Sequence, residues 1–109
     1  MPYVPCFDGL ERAPAPCDVP CSQCGHTIAF DLWSVADRAR RGYQLTDEQV
    51  AEYGLTRREH RGMTSTTVHE DGPAAYVGSL VCPHCSRESR VTVGLEEFQP
   101  SRWIGGVVR

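Results

Sequence analysis

The sequence predicts one small α+β domain: antiparallel β-hairpins carrying two Cys-x-x-Cys turns, with a short helical insertion between them. Three observations predict it. The chain has 109 residues, the size of one ordinary domain. Hydrophobic residues make up 40% and charged residues 23%, which permits a packed core and excludes a disordered or collagen-like chain. Two cysteine pairs with two-residue gaps, Cys21 with Cys24 and Cys82 with Cys85, interrupt stretches that read as strand.

Residues 1–17 are expected to form a Pro-rich N-terminal arm. Five of the eight prolines fall in residues 1–20, and proline lacks the N–H that regular structure uses. Tyr3, Val4, Phe7 and Leu10 are its apolar anchors, lying across the domain's own core or docking a partner. Residues 18–98 form the cysteine-bearing domain. Within it, Thr27 to Phe30 reads as a strand and Asp31 as the N-cap of a helix, with Leu32, Val35, Ala36 and Ala39 at helical spacing before Gly42 stops it. Arg38, Arg40 and Arg41 collect near that helix end, where the helix dipole favours cations.

The helical insertion is expected to run over 31–62. Thr46 with Gln49 and Thr56 with Glu59 are both capping-box patterns, and Gly54 and Gly62 are suitable stops, so two further short helices follow. They would pack Leu45, Val50, Tyr53 and Leu55 inward and leave Arg57, Arg58 and Arg61 solvated. TSTTVH, residues 64–69, favours strand by β-branching, and Glu70-Asp71-Gly72-Pro73 is a turn. Tyr76 to Val81 leads into the second cysteine pair and Val91 to Leu95 leads out of it, as one antiparallel hairpin. Residues 99–109 form an apolar C-terminal tail with Trp103, Ile104, Val107 and Val108 around Gly105-Gly106, which folds back or inserts into a neighbour.

Eleven basic residues, all arginine, against fourteen acidic ones give a net charge of −3. A general binder of phosphate backbones carries a positive surplus, so that role is disfavoured and only a local basic patch stays open. The longest mostly apolar stretch, Ala74 to Cys82, contains Gly78 and Ser79 and falls well short of the ~20 residues that span a bilayer. MPYVPCFDGLE shows no basic segment followed by an apolar one, so a cytoplasmic location is expected. A reducing compartment disfavours a disulfide framework. Cys6 and Cys17, which belong to no close pair, are accordingly expected as free or partly buried thiols.

Cys21, Cys24, Cys82 and Cys85 are expected to bind one Zn2+ as four thiolates. A two-residue gap lets both sulfurs of a pair converge on one ion while the tight turn aims backbone N–H groups at them. Gly25 follows Cys24 where positive φ is often needed, whereas Ser86 stands at the equivalent place in the second pair. Between Cys24 and Cys82 lie 57 residues. Lengthening a closed loop from about 15 residues to that size adds only about 1.2 kcal/mol, small beside the roughly 10–16 kcal/mol of a structural zinc site. His26 and His84 lie beside the ligands and, with four cysteines available, are expected outside the set. Zinc and four thiolates take the net charge to about −5, which Arg87 and Arg90 either offset or ignore as solvated strand residues.

These two pairs resemble the zinc ribbon, in which knuckles at the tips of two β-hairpins share one ion. The resemblance implies a structural metal, because four protein ligands leave no open position for water or substrate. Cys-Pro-His-Cys also resembles the active-site tetrapeptide of thioredoxin-fold oxidases. Only 24 residues follow Cys85, too few for the surrounding βαβ fold. VAEYGLT resembles the helix-turn-helix of bacterial repressors, which would place Arg57, Arg58 and Arg61 on a recognition helix facing nucleic acid. Cys-Gly-His followed at a distance by Cys-Pro-x-Cys and a Val-rich strand resembles the small subunit of acetone carboxylase, implying a zinc-bearing subunit of a larger enzyme. No phosphate-binding loop or nucleophile-base-acid set has recognisable spacing. The expected function is therefore a non-enzymatic accessory or adaptor protein that binds a macromolecular partner, foremost a protein, through its arms.

Overall fold

In the computed structural model, which describes residues 2–109, nine strands and few helices make a mostly β molecule with antiparallel sheets. The strands are β1 (Tyr3–Leu10), β2 (Pro16–Pro20), β3 (Thr27–Asp31), β4 (Arg40–Arg41), β5 (Thr56–His60), β6 (Met63–Thr67), β7 (Ala75–Val81), β8 (Glu88–Gln99) and β9 (Arg102–Val108). The helices are α1 (Leu32–Arg38) and α2 (Asp47–Glu52), with a 3-10 turn over Gly42–Gln44. One sheet has the order β1-β9-β8-β7-β4, while β2-β3 and β5-β6 are separate hairpins.

The two chain ends build the main sheet together. Tyr3 pairs with Val108 and Leu10 with Arg102, so β9 runs between β1 and β8. The apolar tail thus folds back, and it is buried at Gly105, Gly106 and Val107. The strand β1 of the proline-bearing arm lies at the sheet edge, where a missing N–H can face solvent and leave no ladder bond unmade. A β-carbon on Gly106 would collide with the Val4 carbonyl and Pro5, and one on Gly105 with Leu32. The Gly-Gly pair is therefore a close-approach device.

Cys6 and Cys17 are joined in a disulfide, correcting the expectation of free thiols. Two facts about the strands explain it. The β1 register shifts between Pro5 and Phe7, so Cys6 stands in an irregularity of the β1–β9 ladder, and bulges of this kind re-aim a side chain. The turn after Leu10 then brings β2 beside β1 with Cys17 facing inward. For a separation of 11 residues the cross-link contributes about 3 kcal/mol by restricting the unfolded chain.

Asp31 caps α1 as its position predicts, accepting from the N–H groups of Trp33 and Ser34. Leu32, Trp33 and Val35 are buried in a core with Val19, Ile28, Val91, Val93, Leu95 and Val107. The helix ends at Arg38 with an extended Ala39, and Arg40 and Arg41 then pair with Val77 and Tyr76. Gly42 is not the helix stop. It is needed because a β-carbon there would strike Thr66.

Alternation along β7 sends Val77 to the other face, where it packs with Leu45 and Val50, flanked by Tyr53 and Leu55. Thr46 and Gln49 close the expected capping box on α2. The second helix expected from Thr56 is absent: residues 56–60 are β5, paired with β6 across Arg61-Gly62, both at positive φ. That is the twist-matched two-residue hairpin turn. Without this helix the helix-turn-helix is not formed.

Gly106→Ala should lower folding stability by about 2 kcal/mol in urea unfolding, because β1 cannot close on β9 over a side chain. An unchanged midpoint would contradict this account of the sheet.

Candidate metal centre

Both Cys-x-x-Cys turns are hairpin tips, one joining β2 to β3 and the other joining β7 to β8. They fold alike. Cys21 N–H donates to the His26 carbonyl at 2.8 Å and Gly25 N–H to the Cys21 carbonyl at 2.9 Å. In the second turn, Cys82 N–H donates to the Arg87 carbonyl at 2.9 Å and Ser86 N–H to the Cys82 carbonyl at 2.8 Å. The geometry requires a left-handed residue after each second cysteine. Gly25 supplies it at φ 78° and Ser86 at φ 62°, although a residue with a β-carbon is held there at a cost of about 1–2 kcal/mol.

The four cysteines named from the sequence come together. Cys21 Sγ lies 3.7 Å from Cys85 Sγ, Cys24 Sγ lies 3.7 Å from Cys82 Sγ, and all four sulfurs fall within 4.8 Å of one another. A tetrahedral ion with metal–sulfur bonds of about 2.3 Å has sulfur–sulfur edges of about 3.8 Å. The donors therefore fit a single metal ion. Cys21 and Cys82 are buried, Cys85 is half-buried and Cys24 is exposed, so the ion would sit at the protein's rim with one thiolate toward water.

Without an ion the thiols are electrostatically unequal. Backbone N–H groups of Cys24 and Gln23 draw the Cys21 pKa down to about 6, and the Gln23 N–H lies 3.4 Å from its sulfur. Cys24 is pulled down by the His26 N–H, but desolvation and the neighbouring thiols of Cys82, Cys21 and Cys85 outweigh that and push it up to about 12. Four thiolates this close repel one another, and a divalent cation is what allows them to ionise together.

Other side chains lock the two tips together. Ser22 Oγ and Ser89 Oγ are 3.1 Å apart, and Arg87 donates to Gln23 at 3.1 Å. Their pairing joins residues more than 60 positions apart, so no local pattern announced it. His26 and His84 stack with ring centroids 4.1 Å apart over the exposed side, beside the ligand set. Arg90 turns away to lie 4.1 Å from the Tyr53 ring.

The arginines considered for nucleic acid lie elsewhere. Arg57 is spent inside the fold: it donates to the Gly42 and Leu45 carbonyls at 2.9 and 3.0 Å, to Thr66, and pairs with Asp47. Arg58 faces Glu70 and Asp71, and Arg61 occupies the β5–β6 turn. They do not share a helix.

Fold and site define a small, mostly β domain clasped by four converging cysteines. No known family model, curated protein or solved structure matches the chain.

Because every ligand thiol must lose its proton to bind an ion, and Cys24 is held protonated up to about 12, apparent metal affinity should fall by at least about tenfold per unit as pH drops below about 9, and more steeply below about pH 6 as Cys21 also protonates. Competition with a chromophoric chelator measures this, and a flat profile would contradict the assigned ionisation. Ser86→Gly should stabilise the loaded protein by up to about 1 kcal/mol by relieving the left-handed serine. A lower melting temperature in calorimetry would show that the serine does more than complete the turn.

Proposed function

We propose that the chain is a non-enzymatic zinc protein, an accessory or adaptor whose metal-clasped frame presents surfaces to a macromolecular partner, foremost another protein. The observation that carries this reading is the completeness of the thiolate set. Four protein sulfurs at tetrahedral spacing satisfy the ion and leave no position for water or substrate, the arrangement of a structural rather than a catalytic site. Among the described residues these cysteines are the one group of His, Cys, Asp or Glu side chains close enough to hold an ion.

The same spacing suits a single tetrahedral ion such as zinc. A multi-iron cluster interposes its own sulfides and would hold the thiolates further apart than 4.8 Å. The hairpin-tip placement of both pairs supports the zinc-ribbon resemblance at the level of the site. Among the described residues no helix is long and apolar enough to cross a membrane. The Cys6–Cys17 bond weighs against the reducing compartment that the cytoplasmic reading assumes, and the four converging free cysteines weigh for it.

A nucleic-acid role loses its main support with the helix-turn-helix and with the internal engagement of Arg57. A subunit role in a larger enzyme is a special case of the adaptor reading.

The purified chain should carry one zinc per molecule by elemental analysis, and Cys82→Ser should unfold it. The loaded protein should retain a defined protein partner from host extract after nuclease treatment and leave short DNA and RNA duplexes unshifted at low salt. Iron in place of zinc would overturn the metal assignment. A salt-sensitive mobility shift with no protein retained would overturn the adaptor reading.

A further inference from the structure

The outer edge of β7 is only partly covered. β4 pairs with it at Tyr76 and Val77 alone, and Ala39 packs against Gly78. Beyond that, Ser79, Leu80 and Val81 pair with β8 on one side and, among the described residues, with no strand on the other. In an antiparallel strand alternate residues direct both N–H and C=O away from the neighbour, so this stretch offers unused backbone donors and acceptors.

Two clefts flank this edge and share Arg38, Gly78 and Ser79. One is lined by Val35, Leu80 and Val81. The other holds Arg38, Arg40 and Arg90, with Glu88 the single carboxylate in its wall. Arg12, Arg57, Arg58, Arg102 and Arg109 each pair with a carboxylate. Arg38, Arg40 and Arg90 are three of the six arginines that form no ion pair among the described residues: Arg38 reaches back to the Ser34 carbonyl of its own helix and Arg90 lies on Tyr53. A local surplus of positive charge in a chain of net charge −3 thus collects beside a bare strand edge.

We infer that Gly78–Val81 is a β-augmentation site that takes an extended, acidic segment of a protein partner. The segment extends the row begun by β4. Its backbone completes the ladder, its acidic side chains point to the arginine-lined cleft, and its alternate apolar side chains lie against Val35 and Leu80. Strand addition draws affinity from main-chain hydrogen bonds and selectivity from alternate side-chain pockets, so the recognised pattern is alternating apolar and acidic. This assignment rests on the adaptor reading and specifies its partner by chemistry.

The test titrates a capped peptide of alternating valine and glutamate into the isotope-labelled, zinc-loaded full chain. Amides of residues 78–81 should shift and exchange more slowly with solvent. A peptide with lysine for glutamate should not bind, nor should one N-methylated along its pairing edge, which keeps the charge and removes the donors. Arg38→Glu with Arg40→Glu, checked by metal content and an otherwise unchanged amide spectrum, should weaken binding about tenfold. Absence of binding would leave the arginines as guards of a bare edge and overturn the inference. Equal binding of the N-methylated peptide, or shifts centred on residues 57–61, would also overturn it. If the doubly reversed variant retains the same host partner as the parent chain, the edge assignment fails while the adaptor reading stands. The expected peptide response with no protein retained has the opposite meaning.

Discussion

Four like-charged sulfurs held within 4.8 Å of one another cannot coexist as thiolates without a cation between them, and the arrangement of this protein follows from that constraint. The β2–β3 hairpin belongs to no larger sheet. Its tip meets the β7–β8 tip through the cysteines, the Ser22–Ser89 contact and the Arg87–Gln23 hydrogen bond. Exposed polar contacts of this kind are individually worth about 1 kcal/mol, so the ion is the strongest tie between the two tips, while Val19 and Ile28 seat the rest of the hairpin in the core. The same fixation sets the direction in which β7 and β8 enter the main sheet, because both strands emanate from the second tip.

What the sequence disclosed and what it withheld divide by range. Cysteine spacing, the Asp31 cap, the Thr46–Gln49 capping box and the strands on either side of Cys82 and Cys85 are short patterns, and all of them appear in the structure. Thr56 with Glu59 is an equally good capping pattern, yet those residues are a strand. The motif is local, and here it competed with the β-branched Thr64, Thr66 and Thr67 beyond Arg61-Gly62, which pair back onto residues 56–60. Pairing of Tyr3 with Val108 leaves no local trace at all. The disulfide was missed for the same reason: Cys6 and Cys17 meet because the register irregularity and the turn align two strands, not because their spacing is distinctive.

The arginines divide by pairing. Five of the eleven, Arg12, Arg57, Arg58, Arg102 and Arg109, pair with carboxylates of the fold. Arg57 substitutes for missing secondary structure, satisfying the carbonyls of Gly42 and Leu45 where the 3-10 turn ends with too few partners of its own. Arg12 and Arg102 tie surface turns to Asp37 and Asp8. Among the described residues Arg38, Arg40, Arg41, Arg61, Arg87 and Arg90 form no ion pair, and three of these six share one cleft, so pairing together with position locates the basic cleft beside β7.

Both covalent constraints meet on β2. Cys17 lies at its start and Cys21 just past its end, separated by roughly 13 Å of extended chain. The disulfide ties the strand to β1 at one end, and the cysteine cluster ties it to β7 and β8 at the other. β2 buries both of its inward-facing residues, Cys17 and Val19, but pairs with a single partner, β3. A strand of a two-stranded ribbon frays more readily when anchored at one end. Fixed at both, it becomes a strut between the tip that holds the metal and the edge formed by the chain's own N-terminus. Loss of either anchor is then felt at the other, and because Cys21 and Cys82 share one buried cluster with Val107 of β9, the metal centre and the terminal strands behave as parts of one cooperative unit.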